Sequence, residues 1–199
     1  MKPKEFDYVL AENVEEALAE LAGGGEEAKI LAGGQTLGAM LNLRLVETEV
    51  LVDISRIPAL SYIRAADGMV EVGAATTQAA LMAWDGLAEQ VPLLAAAMPH
   101  IGHYQTRNRG TVCGSLAHAD PSSELPLCLA TLGGEVVLRS ARGERVLGAD
   151  AFQTGMLSTA RRPDEMVAAA RYPLQRPGEG FAFHEVARRR GDFAIVAVA

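Results

Sequence analysis

A chain of 199 residues with 49% hydrophobic content can bury a substantial core, as one domain or two small ones. Its formal charge of −7 disfavours nucleic acid and anionic membranes, both of which reward clustered positive charge. Two cysteines, Cys113 and Cys128, give no disulfide framework and too few thiolates for an iron–sulfur cluster, so any such centre belongs to a partner chain. The first residues lack the apolar run of a signal peptide, and no stretch approaches the ~20 apolar residues of a membrane span. The expectation is a soluble, cytoplasmic protein.

Residues 6–10 read as a short strand. Asn13, with Glu16 three residues later, is an N-capping pattern for a helix with the stripe Ala17, Leu18 and Leu21, stopped by Gly23-Gly24-Gly25. Residues 29–32 form a short buried strand that runs into Ala32-Gly33-Gly34-Gln35-Thr36. A helix is expected over 37–45 and a third strand over 50–54, so residues 1–56 read as a small β-α-β-α-β lobe. Strand, glycine turn and helix form a setting in which backbone N–H groups can face an anion. Taken alone, that segment is better explained as an ordinary strand-to-helix turn that needs glycine.

A second lobe is expected over 57–176. It opens with a hairpin of residues 62–64 and 69–73 across Asp67-Gly68, a favoured turn dipeptide. Thr76-Thr77 starts a helix, and residues 92–98 form another, apolar one. Then comes an Arg107-Asn108-Arg109-Gly110-Thr111 turn, a small-residue loop Thr111-Val112-Cys113-Gly114-Ser115, and His118-Ala119-Asp120-Pro121. Such a loop, with little bulk and many accessible N–H groups, can approach a phosphate closely. Two separated loops of this kind suggest a dinucleotide held between two lobes. A helix over 125–132, a hairpin of 135–139 with 145–147 across Arg142-Gly143, and a strand over 166–172 complete the pattern. Residues 193–199 are an apolar run without a polar cap.

Through Phe6-Asp7-Tyr8, the two glycine segments, the Arg107–Thr111 run, His118-Ala119-Asp120-Pro121 and Arg188-Arg189-Arg190-Gly191-Asp192-Phe193, the chain resembles the FAD-binding medium subunit of the molybdenum hydroxylases. That family includes carbon monoxide dehydrogenase and xanthine dehydrogenase. The resemblance implies an α+β, two-lobed fold of the vanillyl-alcohol oxidase (PCMH-like) kind, with FAD between the lobes. It implies a pyrophosphate held by Ala32, Gly33, Gly34, Gln35 and Thr36 on one side and by Thr111, Gly114 and Ser115 on the other. Ala117 and His118 then sit beside the flavin loop, Asp120 and Glu124 near the adenosine, and Glu124 at a ribose-contact position. Val167 belongs to an apolar wall against the isoalloxazine, and His184 stands where some relatives carry a lysine near the flavin. The implied role is electron transfer from a small [2Fe–2S] subunit through FAD to an external acceptor, a quinone or NAD. Hydroxylation would sit on a large molybdenum-cofactor subunit. In the family a further domain follows, so residues 177–199 are expected to begin a C-terminal domain otherwise absent, leaving apolar surface exposed.

Several residues carry a second reading. Cys113 replaces the first glycine of the family's usual pair, so it must avoid positive φ, and a packed, inert thiol is expected over a reactive one. Asp120 also suits a turn before Pro121 and a helix cap. Arg107 and Arg109 fit a structural role better than phosphate contact. His100, His103 and His118 lack a completing ligand set, so no metal site is expected. No side chain stands out as a nucleophile or general base. Two other functions stay open: a standalone flavin oxidoreductase acting directly on a small substrate, and a non-catalytic nucleotide-binding module. A flavin spectrum separates the second from an enzyme, and co-purifying subunits separate the first from a complex.

Overall fold

The computed structural model describes residues 2–199. Strand β1 (Asp7–Leu10) leads into helix α1 (Val14–Gly24), whose start is fixed by its cap. The Asn13 side chain accepts from the Glu16 N–H at 2.9 Å, and the Glu16 carboxylate accepts from the Glu12 N–H at 2.7 Å. The helix ends where Gly25 takes φ 54°. After β2 (Ala28–Leu31), helix α2 (Leu37–Asn42) and β3 (Val50–Asp53), the three strands lie in one parallel sheet of order β1-β3-β2. Val14, Ala17, Leu18 and Leu21 of α1 are buried against it. Helix α2 is shorter than its sequence pattern, because Arg44 turns to φ 57° and the Leu45 N–H closes back on the Met40 carbonyl.

The second sheet is antiparallel and has five strands, in the order β4-β5-β10-β6-β7. Hairpin β4 (Ile63–Ala66) and β5 (Met69–Gly73) turns through Asp67 and Gly68, both at positive φ as a type I′ turn requires. Between them and the next hairpin lie α3 (Gln78–Met82), α4 (Leu87–Gln90), α5 (Pro92–Ala97), α6 (Tyr104–Arg109), α7 (Val112–His118) and α8 (Glu124–Thr131). Strands β6 (Glu135–Ser140) and β7 (Gly143–Gly148) form the second hairpin, followed by α9 (Ala149–Phe152) and the small pair β8 (Gln153–Gly155) and β9 (Ser158–Thr159). Strand β10 (Met166–Pro173) enters the middle of the sheet between β5 and β6. Its residues from Met166 to Ala170 and Tyr172 are buried, as a central strand covered by helices requires. A last pair, β11 (His184–Val186) and β12 (Val196–Val198), closes the chain.

Two segments differ from their sequence reading. Arg107, Asn108 and Arg109 are the end of helix α6 with Gly110 as its C-cap, and most of the small-residue loop is the first turn of α7. Thr111 is its N-cap, with the Gly114 N–H donating to Oγ1 at 3.0 Å. Burial of Val112, Cys113 and Leu116 holds a helix that Gly114 disfavours locally. Among the described residues no helix is long and apolar enough to cross a membrane.

Candidate functional site

A cleft of about 870 Å³ runs between the end of β2, helix α7, the start of β10 and the segment before β12. That is toward the upper end of ligand-pocket sizes, room for an extended cofactor. At one end, the turn after β2 leaves its backbone donors free. The N–H groups of Gly33, Gly34, Gln35, Thr36 and Leu37 reach no protein acceptor among the described residues, and Thr36 adds no side-chain cap to α2. A run of unpaired amides in a turn is an anion-binding concavity.

The second segment is different. In the first turn of α7, Val112 N–H donates to the Thr76 carbonyl, Gly114 N–H to Thr111 Oγ1, and Ser115 N–H to the Thr111 carbonyl. Most of the amides expected to face a phosphate are therefore already engaged. What α7 offers instead is a small-residue face. Gly114 and Ala117 are exposed toward the cleft beside Ser115 and His118, while Val112, Cys113 and Leu116 point into the core.

Gly33 joins the two segments. A Cβ there would collide with the Arg109 carbonyl oxygen and lie 2.8 Å from Gly110 Cα, so backbone rests on backbone. This contact by itself requires glycine at position 33. Gly34 does need its freedom, at φ 68°.

Of the residues expected to touch the cofactor, Ala32, Gly33, Gly34, Gln35, Thr36, Thr111, Gly114, Ser115, Ala117, His118, Glu124 and Val167 all line this cleft. Asp120 and His184 do not. Asp120 accepts from the Ser122 N–H at 2.8 Å, a turn role, and His184 is an exposed residue of β11 opposite Val198. Cys113 is buried, its Sγ 3.5 Å from the Val72 carbonyl, and burial pushes its thiol up to about 12, so it is inert rather than reactive.

Glu124 is the ionisable outlier. Burial, then the nearby Glu185 and Asp120 carboxylates, push it up to about 7. Below the ordinary carboxylate range near 4.5 it is protonated folded or unfolded. Between there and 7 only the unfolded chain ionises, so stability falls as pH rises, by up to about 3 kcal/mol, and levels off above 7. Urea unfolding at pH 5 and at pH 8 checks this: Glu124→Gln should lose that decline, and an unchanged pH slope would refute it.

Other wall residues lie outside the two glycine segments. Gln78, Thr106 and His103 reach the cleft from α3, α6 and the turn before it, and Gly102 at φ 47° sets that turn. Arg161 also lines it, but its guanidinium donates to the Arg162, Pro163 and Glu165 carbonyls, which makes it a loop brace. Glu165 is held below the usual carboxylate range by Arg145, which binds both its oxygens at 2.6 and 2.8 Å.

Comparison with known proteins places the chain in a family. Residues 4–175 match the family described as the FAD binding domain in molybdopterin dehydrogenase. The chain belongs to that family. It is 43% identical over 195 residues to the 6-hydroxypseudooxynicotine dehydrogenase complex subunit alpha of Paenarthrobacter nicotinovorans, covering 98% of this chain and 66% of that one. The fold matches reconstituted CO dehydrogenase from Oligotropha carboxidovorans with TM-score 0.95 and 36% identity, over 99% of this chain and 69% of that one. It matches quinoline 2-oxidoreductase from Pseudomonas putida 86 with TM-score 0.94 and 36% identity, over 99% and 68%. The chain thus spans about two thirds of the length of these relatives. The family's members are dehydrogenase and oxidoreductase subunits, and its cofactor is FAD. The residues present fit that cofactor: free amides for a diphosphate at one end, and Val167 and Met166 as an apolar wall farther along.

Proposed function

We propose that the cleft holds FAD between two lobes, residues 2–56 and 57–176, in the service of a molybdenum hydroxylase complex. The observation that carries this is the run of free N–H groups from Gly33 to Leu37, held by the Gly33 contact against the Arg109-Gly110 junction that leads into α7. In this reading those amides neutralise the diphosphate, which approaches α7 over Gly114 and Ala117. Glu124, at the far end of the same wall, accepts from a ribose hydroxyl. That bond favours the ionised carboxylate and lowers its pKa on binding. Val167 and Met166 cover one face of the ring system and keep water from it.

The bound flavin supplies the redox chemistry, taking electrons singly or in pairs, and the chain supplies position and electrostatics. The electrons come from a small [2Fe–2S] subunit and leave to a quinone or NAD. The hydroxylation belongs to a large molybdenum-cofactor subunit; the relatives' names, a complex subunit alpha and a medium chain, support a multi-subunit assembly. The complex is cytoplasmic in this reading.

An absorbance spectrum of the purified chain from about 300 to 550 nm, before and after FAD addition and desalting, tests the core of the proposal. Retained flavin bands are expected. A folded chain that takes up no flavin at micromolar concentration would refute an FAD site built from these residues.

A further inference from the structure

The wall of the cleft contains a polar side chain that nothing among the described residues satisfies. Gln78, the first residue of α3, is 5% exposed, yet its carboxamide is uncommitted at both ends. Oε1 is buried with no hydrogen-bond partner among the described residues, and Nε2 makes no protein hydrogen bond there either. The backbone of the same residue is fully engaged, with its N–H donating to the Gly110 carbonyl at 2.8 Å. Thr77 bridges Thr111, and Val112 N–H donates to the Thr76 carbonyl. The start of α3 is thus stitched to the start of α7, and Gln78 cannot drift away from the cleft.

Its location is the junction of the two segments that face the diphosphate. The carboxamide packs over Gly110, where an added Cβ would come within 3.1 Å of Oε1. Gly110 Cα is in turn the surface on which Gly33 rests. Buried amides are ordinarily bonded, and a buried one left idle is costly. A phosphate oxygen, itself an acceptor, cannot satisfy Oε1; what the glutamine offers an anion is Nε2, two further donors beside the run of free backbone N–H groups, with Oε1 left for a hydroxyl donor.

We propose that Gln78 is a cofactor-binding residue whose Nε2 donates to a diphosphate oxygen of FAD. The assignment rests on the reading of the cleft given above and deepens it. The other hydrogen-bonding partners in FAD near the diphosphate are sugar-type hydroxyls, which could donate to Oε1. The two possibilities differ in what a carboxylate would do at this position. A glutamate is isosteric and remains an acceptor, but it would repel a phosphate.

The test is FAD titration of the intact chain by flavin fluorescence, for wild type, Gln78→Leu and Gln78→Glu, with thermal unfolding of each without FAD. Gln78→Leu is expected to weaken FAD by roughly tenfold, and Gln78→Glu by considerably more, as an unpaired charge facing a phosphate should. Gln78→Leu should keep the wild-type unfolding temperature or exceed it, since it removes an unpartnered buried acceptor. ADP, which keeps the diphosphate and lacks the flavin, should show the same rank order when it competes with FAD. Wild-type affinity in Gln78→Glu would overturn the phosphate assignment, and wild-type affinity in Gln78→Leu would overturn any role for Gln78 in binding. If Gly114→Val abolishes binding while both Gln78 variants bind normally, only the Gln78 assignment falls. If none of the three affects FAD, the reading of the cleft falls with it.

Discussion

Gly33→Ala should lower FAD affinity by at least ~100-fold and the unfolding temperature by ~5–10 °C, at a cost of about 1–3 kcal/mol for overpacking. The added methyl group meets the Arg109 carbonyl oxygen and sits 2.8 Å from Gly110 Cα, and neither is a side chain that can rotate away. The turn after β2 would have to lift off the end of α6, carrying its free N–H groups away from α7. Gly38→Ala is the matched control. Gly38 lies in α2 with open space where its Cβ would be, so alanine there should raise stability by about 0.5–1 kcal/mol. Thermal unfolding and flavin titration of the pair decide the matter. Equal behaviour of the two variants would mean that the backbone contact between the segments does not hold the cleft together.

Arg145→Met should cost about 3 kcal/mol, close to 10 °C in unfolding temperature, because it strands a buried carboxylate. Glu165 is 3% exposed, and Arg145 supplies both of its side-chain ion-pair contacts while also donating to the Ala160 carbonyl at 2.6 Å. Only the Arg162 N–H at 2.7 Å would remain. The pair ties β7 to the turn that feeds β10, so its loss should also loosen Val167 and weaken FAD. In the wild type this pairing stabilises above the normal carboxylate range and is lost as acid protonates Glu165. In the variant, acidification should instead relieve the stranded charge. The double variant Arg145→Met with Glu165→Leu should recover most of the loss, and failure to recover would show that packing of the arginine stem, not charge, was what mattered.

Local signals in the chain were easily read where a residue acts on its own neighbours. The Asn13 cap and the Asp67-Gly68 turn depend on contacts within a few residues. The start of α7 was hidden because its helix is held by what Val112, Cys113 and Leu116 bury themselves against, which outweighs the local preference of Gly114. The purpose of Gly33 was hidden for a similar reason: its partners, Arg109 and Gly110, are remote in sequence. Nothing in the sequence marks Gln78, and only the surrounding fold leaves its carboxamide without a partner. Family resemblance supplied the cofactor, while the division of labour between free amides on one side and small side chains on the other required the three-dimensional arrangement.

The position of β10 bears on how the chain acquires its shape. The strand joins β5 to β6, and the ion pair across the first of those seams links Glu71 to Arg171, 100 residues later in sequence. Until residues 166–173 emerge during synthesis, the two hairpins each present an unpaired edge, the feature by which growing chains stick to one another. Such remote pairing makes for slow folding, because a long loop must close before any bond rewards it. A nascent chain paused before Met166 would carry most of the cleft's residues and lack its apolar wall. If the cleft holds FAD as proposed, flavin loading is expected to follow release of the central strand from the ribosome.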